Sequence, residues 1–286
     1  MANTINTNVI VPNVYAQLVR DKIQGKCKVA QFLVNLGDLH GKVGEVIKFP
    51  KWGYIGDAKD WAINTPMEVT QMTQTETSAT IKAIQAPAVK VADYDNEVEL
   101  GNAIEEAASQ QAIAVGRKYD TDAIACALTS PLKYQLATKN TVTQTEMISI
   151  LGLYGDDRDS ADFDAIVIHS SFAPSFYQMD MFTSRERTMT KDGNGIAVNG
   201  VIGEFLGIPV VLSDRLYDST NTEGFILVMK KNAISIIPKE NPFAEASRDA
   251  GLRQTTIYLS QFYAMALTDD TAVVVAKKVL PQQGGK

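Results

Sequence analysis

Cysteine and histidine are scarce in this 286-residue sequence, with two of each, and the scarcity closes off several chemistries. Cys27 and Cys126 are too few for a disulfide framework and are not spaced as a metal motif, so they read as buried thiols in a reducing cytosol. With His40 and His169 as the only imidazoles, a zinc site has no ligand set. Long apolar runs are missing too. Residues 208–212 and 272–276 fall far short of the ~20 residues that span a bilayer, so no membrane partner is expected. Residues 1–13 have neither the basic start nor the apolar stretch of a signal peptide, which predicts a soluble chain. An excess of positive charge is also absent. Lys plus Arg is 27 and Asp plus Glu is 33, for a net charge of −6. Gripping nucleic acid by its phosphates needs clustered Lys and Arg, so only weak, non-specific contact with DNA is expected.

Catalytic signatures are thin. Asp164, His169, Ser170 and Ser171 supply the residue types of a hydrolase triad, but the serines directly follow the histidine and there is no Gly-x-Ser-x-Gly elbow. His169 reads instead as a hydrogen-bonded strand-end residue. The acidic cluster Asp156, Asp157, Asp159, Asp162 and Asp164 is interrupted by Arg158 and lacks EF-hand spacing, so a solvated loop is expected. Glycines 193, 195, 200, 203 and 207 match neither a dinucleotide fingerprint nor a Walker loop and serve turns. No cofactor, metal or enzymatic activity is expected.

What is present is ordinary globular material: 45% hydrophobic and 21% charged residues, at a length that suits about two structural units. Residues 1–11 are polar and aperiodic, and read as an arm that needs a partner to become ordered. From Pro12, Val14, Leu18, Val19 and Ile23 recur at helical spacing up to the stop at Gly25. Residues 41–54 read as a strand marked as an edge by Pro50, and 75–91 as one Thr-rich return strand. Between them lies a broad irregular tip. A dozen strand residues reach roughly 40 Å, and a lone two-stranded ribbon is marginal in water, so this one has to lie on something. Trp52, Tyr54 and Trp61 stand near its tip among Lys51, Lys59, Asp57 and Asp60, a pattern that suits anchors at a protein interface and equally a local cluster.

A long helix follows over 97–128, with Leu100, Ile104, Ala108, Ala112, Val115 and Tyr119 on one face and a possible break at Asp120-Thr121-Asp122. After Thr145 the texture is mixed: a helix at 146–154, a buried strand at 163–169, a hairpin turning at Asn199-Gly200, a buried strand at 208–212, and short strands at 224–229 and 233–238. The tail from Thr255 alternates like two strands turning at Asp269-Asp270.

In that order these segments resemble the tailed-bacteriophage major capsid proteins of the Hong Kong 97 type. The residues that carry the likeness are 41–60 and 79–91, similar to the two sides of that family's extended loop, and 116–128, similar to the end of its spine helix. Residues 163–169 with 200–214 resemble axial-domain strands. Ser247-Arg248-Asp249 with the 255–277 strands resembles the return through the peripheral domain. The resemblance implies an α+β fold with an N-terminal arm at 1–36, an extended β-loop at 37–92 and a peripheral domain with its spine helix at 93–144. An axial domain at 145–235 and peripheral return strands at 236–286 complete it. It implies a shell subunit assembling with copies of itself into pentamers and hexamers around phage DNA, with scaffolding, portal and decoration proteins as further partners. Assembly in the host cytoplasm and residence in the virion are part of that expectation. The candidate interface residues are Val14, Tyr15, Leu18, Lys51, Trp52, Tyr54, Lys59 and Trp61. An encapsulin-like compartment is the alternative the same fold allows, and a hydrolase-type enzyme a more distant one.

Overall fold

A computed structural model describes residues 12–37, 46–52, 55–60, 66–67, 69–94, 103–156, 159–183 and 201–279. Helix α1 (Pro12–Ile23) opens on the proline, whose missing N–H costs nothing in a first turn. Strands β1 (Val34–Asn35), β2 (Val46–Trp52), β3 (Gln74–Thr80) and β4 (Lys82–Ala92) follow. The long helix α2 (Ala103–Ala127) leads to β5 (Lys133–Gln135) and α3 (Gln144–Gly152). Thr143 and Glu146 start α3 with a reciprocal capping box. Then come β6 (Phe163–Ile168), the short helices α4 (Ala173–Tyr177) and α5 (Asp180–Thr183), and β7 (Val201–Phe205), β8 (Ile208–Leu212), β9 (Tyr217–Asp218) and β10 (Glu223–Gly224). The chain closes with β11 (Ile226–Lys230), β12 (Ile234–Asp249), β13 (Gln254–Leu267) and β14 (Val273–Lys277).

Two sheets organise the molecule. One has the order β1-β12-β13-β4, with α1 and α2 packed on one face. The other has the order β5-β14-β11-β6-β8-β7 and is buried on both faces. Its strands split their side chains by alternation. Ala165 and Val167 of β6, Leu227 and Met229 of β11 and Val273 and Val275 of β14 join the core shared with α1 and α2. Ile166, Ile168, Ile226, Val228 and Val274 enter a second core with Phe172, Phe176 and Phe205. Three connections cross between the sheets among the described residues: 128–132, 231–233 and 268–272. They are cross-linked: Lys230 N donates to Ala272 O (2.8 Å), Thr268 N to Ala233 O (2.9 Å) and Ser130 Oγ to Val273 O (2.6 Å).

Several expectations change. The return strand expected at 75–91 is two strands: β3 pairs with β2, and after Ile81 β4 pairs with β13 inside the four-stranded sheet. The loop expected over 37–92 therefore ends at Thr80, because β4 finds its hydrogen bonds elsewhere. The arm expected over 1–36 is reduced, since α1 buries Tyr15, Val19 and Ile23 in the chain's own core. The first eleven residues lie outside the described residues. The short strand expected at 233–238 runs on to Asp249. Pro238 and Pro242 are tolerated because β12 pairs with β1 only at Ser235 and Ile236, leaving that edge otherwise without a strand among the described residues. The tail does turn near Asp269-Asp270, but its strands part company: β13 stays in the four-stranded sheet and β14 enters the other, between β5 and β11. The boundaries at 144/145 and 235/236 shift accordingly, with β5 and β14 both belonging to the six-stranded sheet.

The turn expected at Asn199-Gly200 lies outside the described residues. A two-residue turn at Leu206-Gly207, with φ of 52° and 81°, joins β7 to β8. Both positive values are what a type I′ hairpin demands. Helix α2 is continuous through Asp120-Thr121-Asp122, because both carboxylates are used. Asp120 Oδ1 accepts from Val29 N (2.9 Å) and Ala30 N (2.8 Å), fixing the chain after α1. Asp122 is taken up by three donors, described below. Leu100 lies outside the described residues, whereas Ala108, Ala112, Val115 and Tyr119 all face inward as the helical period requires.

Candidate assembly surface

The ribbon β2-β3 is in register from Val46 opposite Thr80 to Trp52 opposite Gln74. Among the described side chains of the ribbon, two are buried. Phe49 (1% exposed) and Ala79 pack on Ile237, Ala264 and Ala266, with Ile47 and Ile81 half-buried beside them. Beside these contacts Lys48 Nζ lies 2.5 Å from Glu76 Oε2 across the two strands, in an exposed pair that adds little to stability. Residues 55–60 of the tip are all exposed, and so are Met67, Val69 and Met72. Val69 is 97% exposed. Four apolar side chains (Ile55, Met67, Val69 and Met72) thus face water where burial of each would be worth ~1.5–3 kcal/mol.

The candidate interface residues are scattered by the fold. Val14 is exposed on α1, Leu18 is half-buried against the core, and Tyr15 is 3% exposed with its hydroxyl donating to Gln111 Oε1 at 2.9 Å. Tyr15 is thus a core residue of its own chain, and burial pushes its phenol up to about 12. Lys59 is exposed at the tip. Lys51 and Trp52 sit on β2 opposite Thr75 and Gln74, their side chains outside the described atoms; Tyr54 and Trp61 lie outside the described residues. The fold brings none of the α1 residues to the ribbon tip. Ile55, Met67, Val69 and Met72 are not among the expected interface residues, although apolar residues recurring in a Gly, Asp and Asn-rich tip are a signal the sequence carries.

A second exposed apolar patch lies on the four-stranded sheet. Phe243, Tyr258 and Phe262 share the face opposite α2, as the pairings Phe243–Ser260 and Glu245–Tyr258 require. At the end of the same sheet Arg248 clamps Asp93 with two parallel bonds, Nη1 to Oδ1 and Nη2 to Oδ2, each 2.5 Å. The hydrogen bond from Arg248 holds the Asp93 carboxyl below its ordinary range.

The residues once considered for hydrolysis do not converge. His169 Nδ1 is 2.9 Å from Ser171 Oγ and accepts from Ser171 N, so the imidazole caps the short turn that follows β6. Partial burial lowers its pKa, against an opposing pull from Asp214. Ser171 Oγ also reaches Asn140 Oδ1 (3.3 Å), which accepts from Gly224 N (2.7 Å). A Cβ on Gly224 would stand 2.7 Å from that of His169, so glycine is required there by close approach. Asp164 lies by Val29, Phe32 and Met229, and no hydrogen bond joins it to His169. In the acidic loop Asp159 caps Ala161 N (3.0 Å). Among the described residues no group of three or more His, Cys, Asp or Glu is placed to hold a metal, and no helix is long and apolar enough to cross a membrane.

No family model matches the sequence. The chain is 26% identical over 278 residues, 96% of each sequence, to a major capsid protein of Staphylococcus phage phiMR11. Its fold is similar to a chain of the capsid of the Cyanophage P-SCSP1u, with a TM-score of 0.63 at 15% identity over 88% of each chain. It is similar too to a chain of a virus-like particle from Pyrococcus furiosus, with a TM-score of 0.61 at 9% identity over 94% of this chain and all of that one.

Proposed function

We infer that this chain is a tailed-phage major capsid protein of the Hong Kong 97 type, the repeating subunit of an icosahedral shell around phage DNA. The observation that carries the reading is a subunit with two complete cores that still extends an apolar ribbon tip into water. Among the described residues Ile55, Met67, Val69 and Met72 stay exposed, and a neighbouring copy would cover them. Contacts between copies satisfy the tips by closed symmetry, each subunit giving its ribbon and receiving another's. The net charge of −6 suits a wall that must hold DNA without gripping it.

In this scheme the ribbon tip, with Lys59 and the neighbouring Lys51, Trp52, Tyr54 and Trp61, forms one side of the contact between copies, and the exposed Val14 edge of α1 contributes beside residues 1–11. Tyr15 supports that edge from within. The subunit does its work without catalysis. Assembly takes place in the host cytoplasm, with scaffolding, portal and decoration proteins as the expected partners. The encapsulin-like reading rests on fold alone, since the virus-like particle chain is 9% identical, while the sequence likeness over 96% of the chain is to a phage protein.

Electron microscopy and sedimentation of the purified full-length chain, with and without co-expressed phage structural proteins, test the reading. Closed shells of uniform size are expected. A chain that stays monomeric under every condition overturns it, and shells that enclose protein cargo in place of DNA transfer it to the compartment alternative.

A further inference from the structure

Asp122 is a buried carboxylate with three side-chain donors that shell building has not explained. Its side chain is 5% exposed. Oδ1 accepts from Lys82 Nζ at 3.0 Å and from Lys118 Nζ at 3.1 Å, while Oδ2 accepts from the Tyr263 hydroxyl at 2.5 Å. The three donors come from three elements. Lys118 lies one turn back on α2, Tyr263 is on β13, and Lys82 is the first residue of β4, directly opposite Tyr263 in the ladder. Tyr263 is fully buried, with the Tyr119 ring edge-on to it at 4.9 Å, and the Tyr119 hydroxyl donates to Gln261. Burial acts to raise the Asp122 pKa, but the bonds from Tyr263, Lys82 and Lys118 outweigh it and hold the group in its charged form.

The place of Lys82 matters. β3 pairs with β2 and β4 pairs with β13, so the ribbon's return strand joins the four-stranded sheet through Ile81. A one-residue joint between two ladders is where a stiff ribbon can change its angle. On one side of that joint the ribbon rests on Ile237, Ala264 and Ala266 through Phe49 and Ala79, apolar contacts that carry no fixed direction. On the other side, Lys82 is tied to the middle of the sheet and to α2 by a buried charge.

We propose that the Lys82–Asp122 pair is an angle lock, fixing the direction in which the ribbon leaves the body of the subunit. Lys118 shares the carboxylate and compensates its charge without touching the joint. With the lock closed the ribbon presents its tip in one direction to the next copy; with it open the ribbon swings about Ile81. The inference deepens the shell reading by naming what regulates its principal arm, but it concerns a motion within one chain and does not depend on shells forming.

The test uses the full-length soluble chain carrying Cys126→Ala, with spin labels at Ala58→Cys on the tip and Ala250→Cys at the far hairpin, and distances read by pulsed electron resonance. The starting chain should give one narrow distribution. Lys82→Met should at least double its width, Lys82→Gln should do the same, and Lys82→Arg should leave it narrow. Lys118→Met, which removes a charge from the same carboxylate, should leave it narrow as well. An unchanged width in both Lys82→Met and Lys82→Gln overturns the proposal, and so does equal broadening by Lys118→Met, which would make the effect one of general loosening around Asp122. Circular dichroism of each variant confirms that the widths compare folded chains.

Discussion

The six-stranded sheet is built from short, nearly continuous apolar runs and the ribbon's β3 from small and polar residues, and the two meet water in opposite ways. Every residue of β14 is buried, as are five of the six in β6, because both faces of that sheet have a core to enter. In β3 only Ala79 is buried. The difference follows the side chains: apolar runs enter a core on each face, and the polar β3 does not. Burial is concentrated in one region, while among the described residues Ile55, Met67, Val69 and Met72 stay exposed in the other, so the stability of the fold rests on residues other than those of the tip.

That division can be broken from either side. Removing residues 1–24 takes Tyr15, Val19 and Ile23 out of the shared core, a loss of about 5 kcal/mol or more at ~1.5–3 kcal/mol per side chain, comparable with the whole stability of a domain. The truncated chain should be unfolded by circular dichroism, while one lacking only residues 1–11 should melt like the full chain. Equal melting of the two would put α1 with the arm. Ile166→Ala, in the middle of β6, should cost about 2–5 kcal/mol in denaturant unfolding; a cost below 1 kcal/mol would mean that the sheet interior is not the fold's anchor.

Acid should act more gently, through Asp122. Its folded-state pKa lies below the ordinary carboxylate value, so its stabilisation is present above about pH 4 and is lost as the pH falls through the folded value. Asp122→Asn should therefore be less stable than the parent at pH 7, with the gap closing toward pH 2; a gap independent of pH would assign the loss to packing. The smallest effect on folding belongs to the ribbon tip. Val69→Asp should change unfolding by less than about 0.5 kcal/mol yet lower the yield of shells at least tenfold by sedimentation, and normal shells from that variant would erase the distinction between the two regions.

The sequence reading succeeded where one element's own period carries the information. Ala108, Ala112, Val115 and Tyr119 mark the buried face of α2, and the apolar run at 163–168 marks a strand covered on both sides. It failed where the answer depended on which partner an element meets. Alternation passes through Ile81 without interruption, so nothing local announces that Thr80 pairs with Val46 while Lys82 pairs with Tyr263. In the tail the two strands and the turn at Asp269-Asp270 were legible, but such a turn is compatible with a hairpin and with a crossing between sheets, so the sheet each strand joins was not. The helical spacing of Val14, Leu18, Val19 and Ile23 predicted an apolar face but not that Val19 and Ile23, with Tyr15, enter their own chain's core. At the tip, attention to tryptophan and tyrosine hid the plainer signal of Ile55, Met67, Val69 and Met72. Leu206 stands at a left-handed turn position usually held by asparagine or glycine, so its hairpin left no mark.

The three crossings between the sheets have a mechanical consequence. Two bodies joined by one strand of chain part when that strand is cut; here a pull that separates the sheets is divided among three backbones. The cross-links at Ala233, Ala272 and Val273 spread the tension from one backbone to the others. A single nick in the exposed 269–271 turn would leave two intact tethers and the hydrogen bonds around them. The load a subunit can carry is therefore set by three backbones acting together and not by the weakest of them.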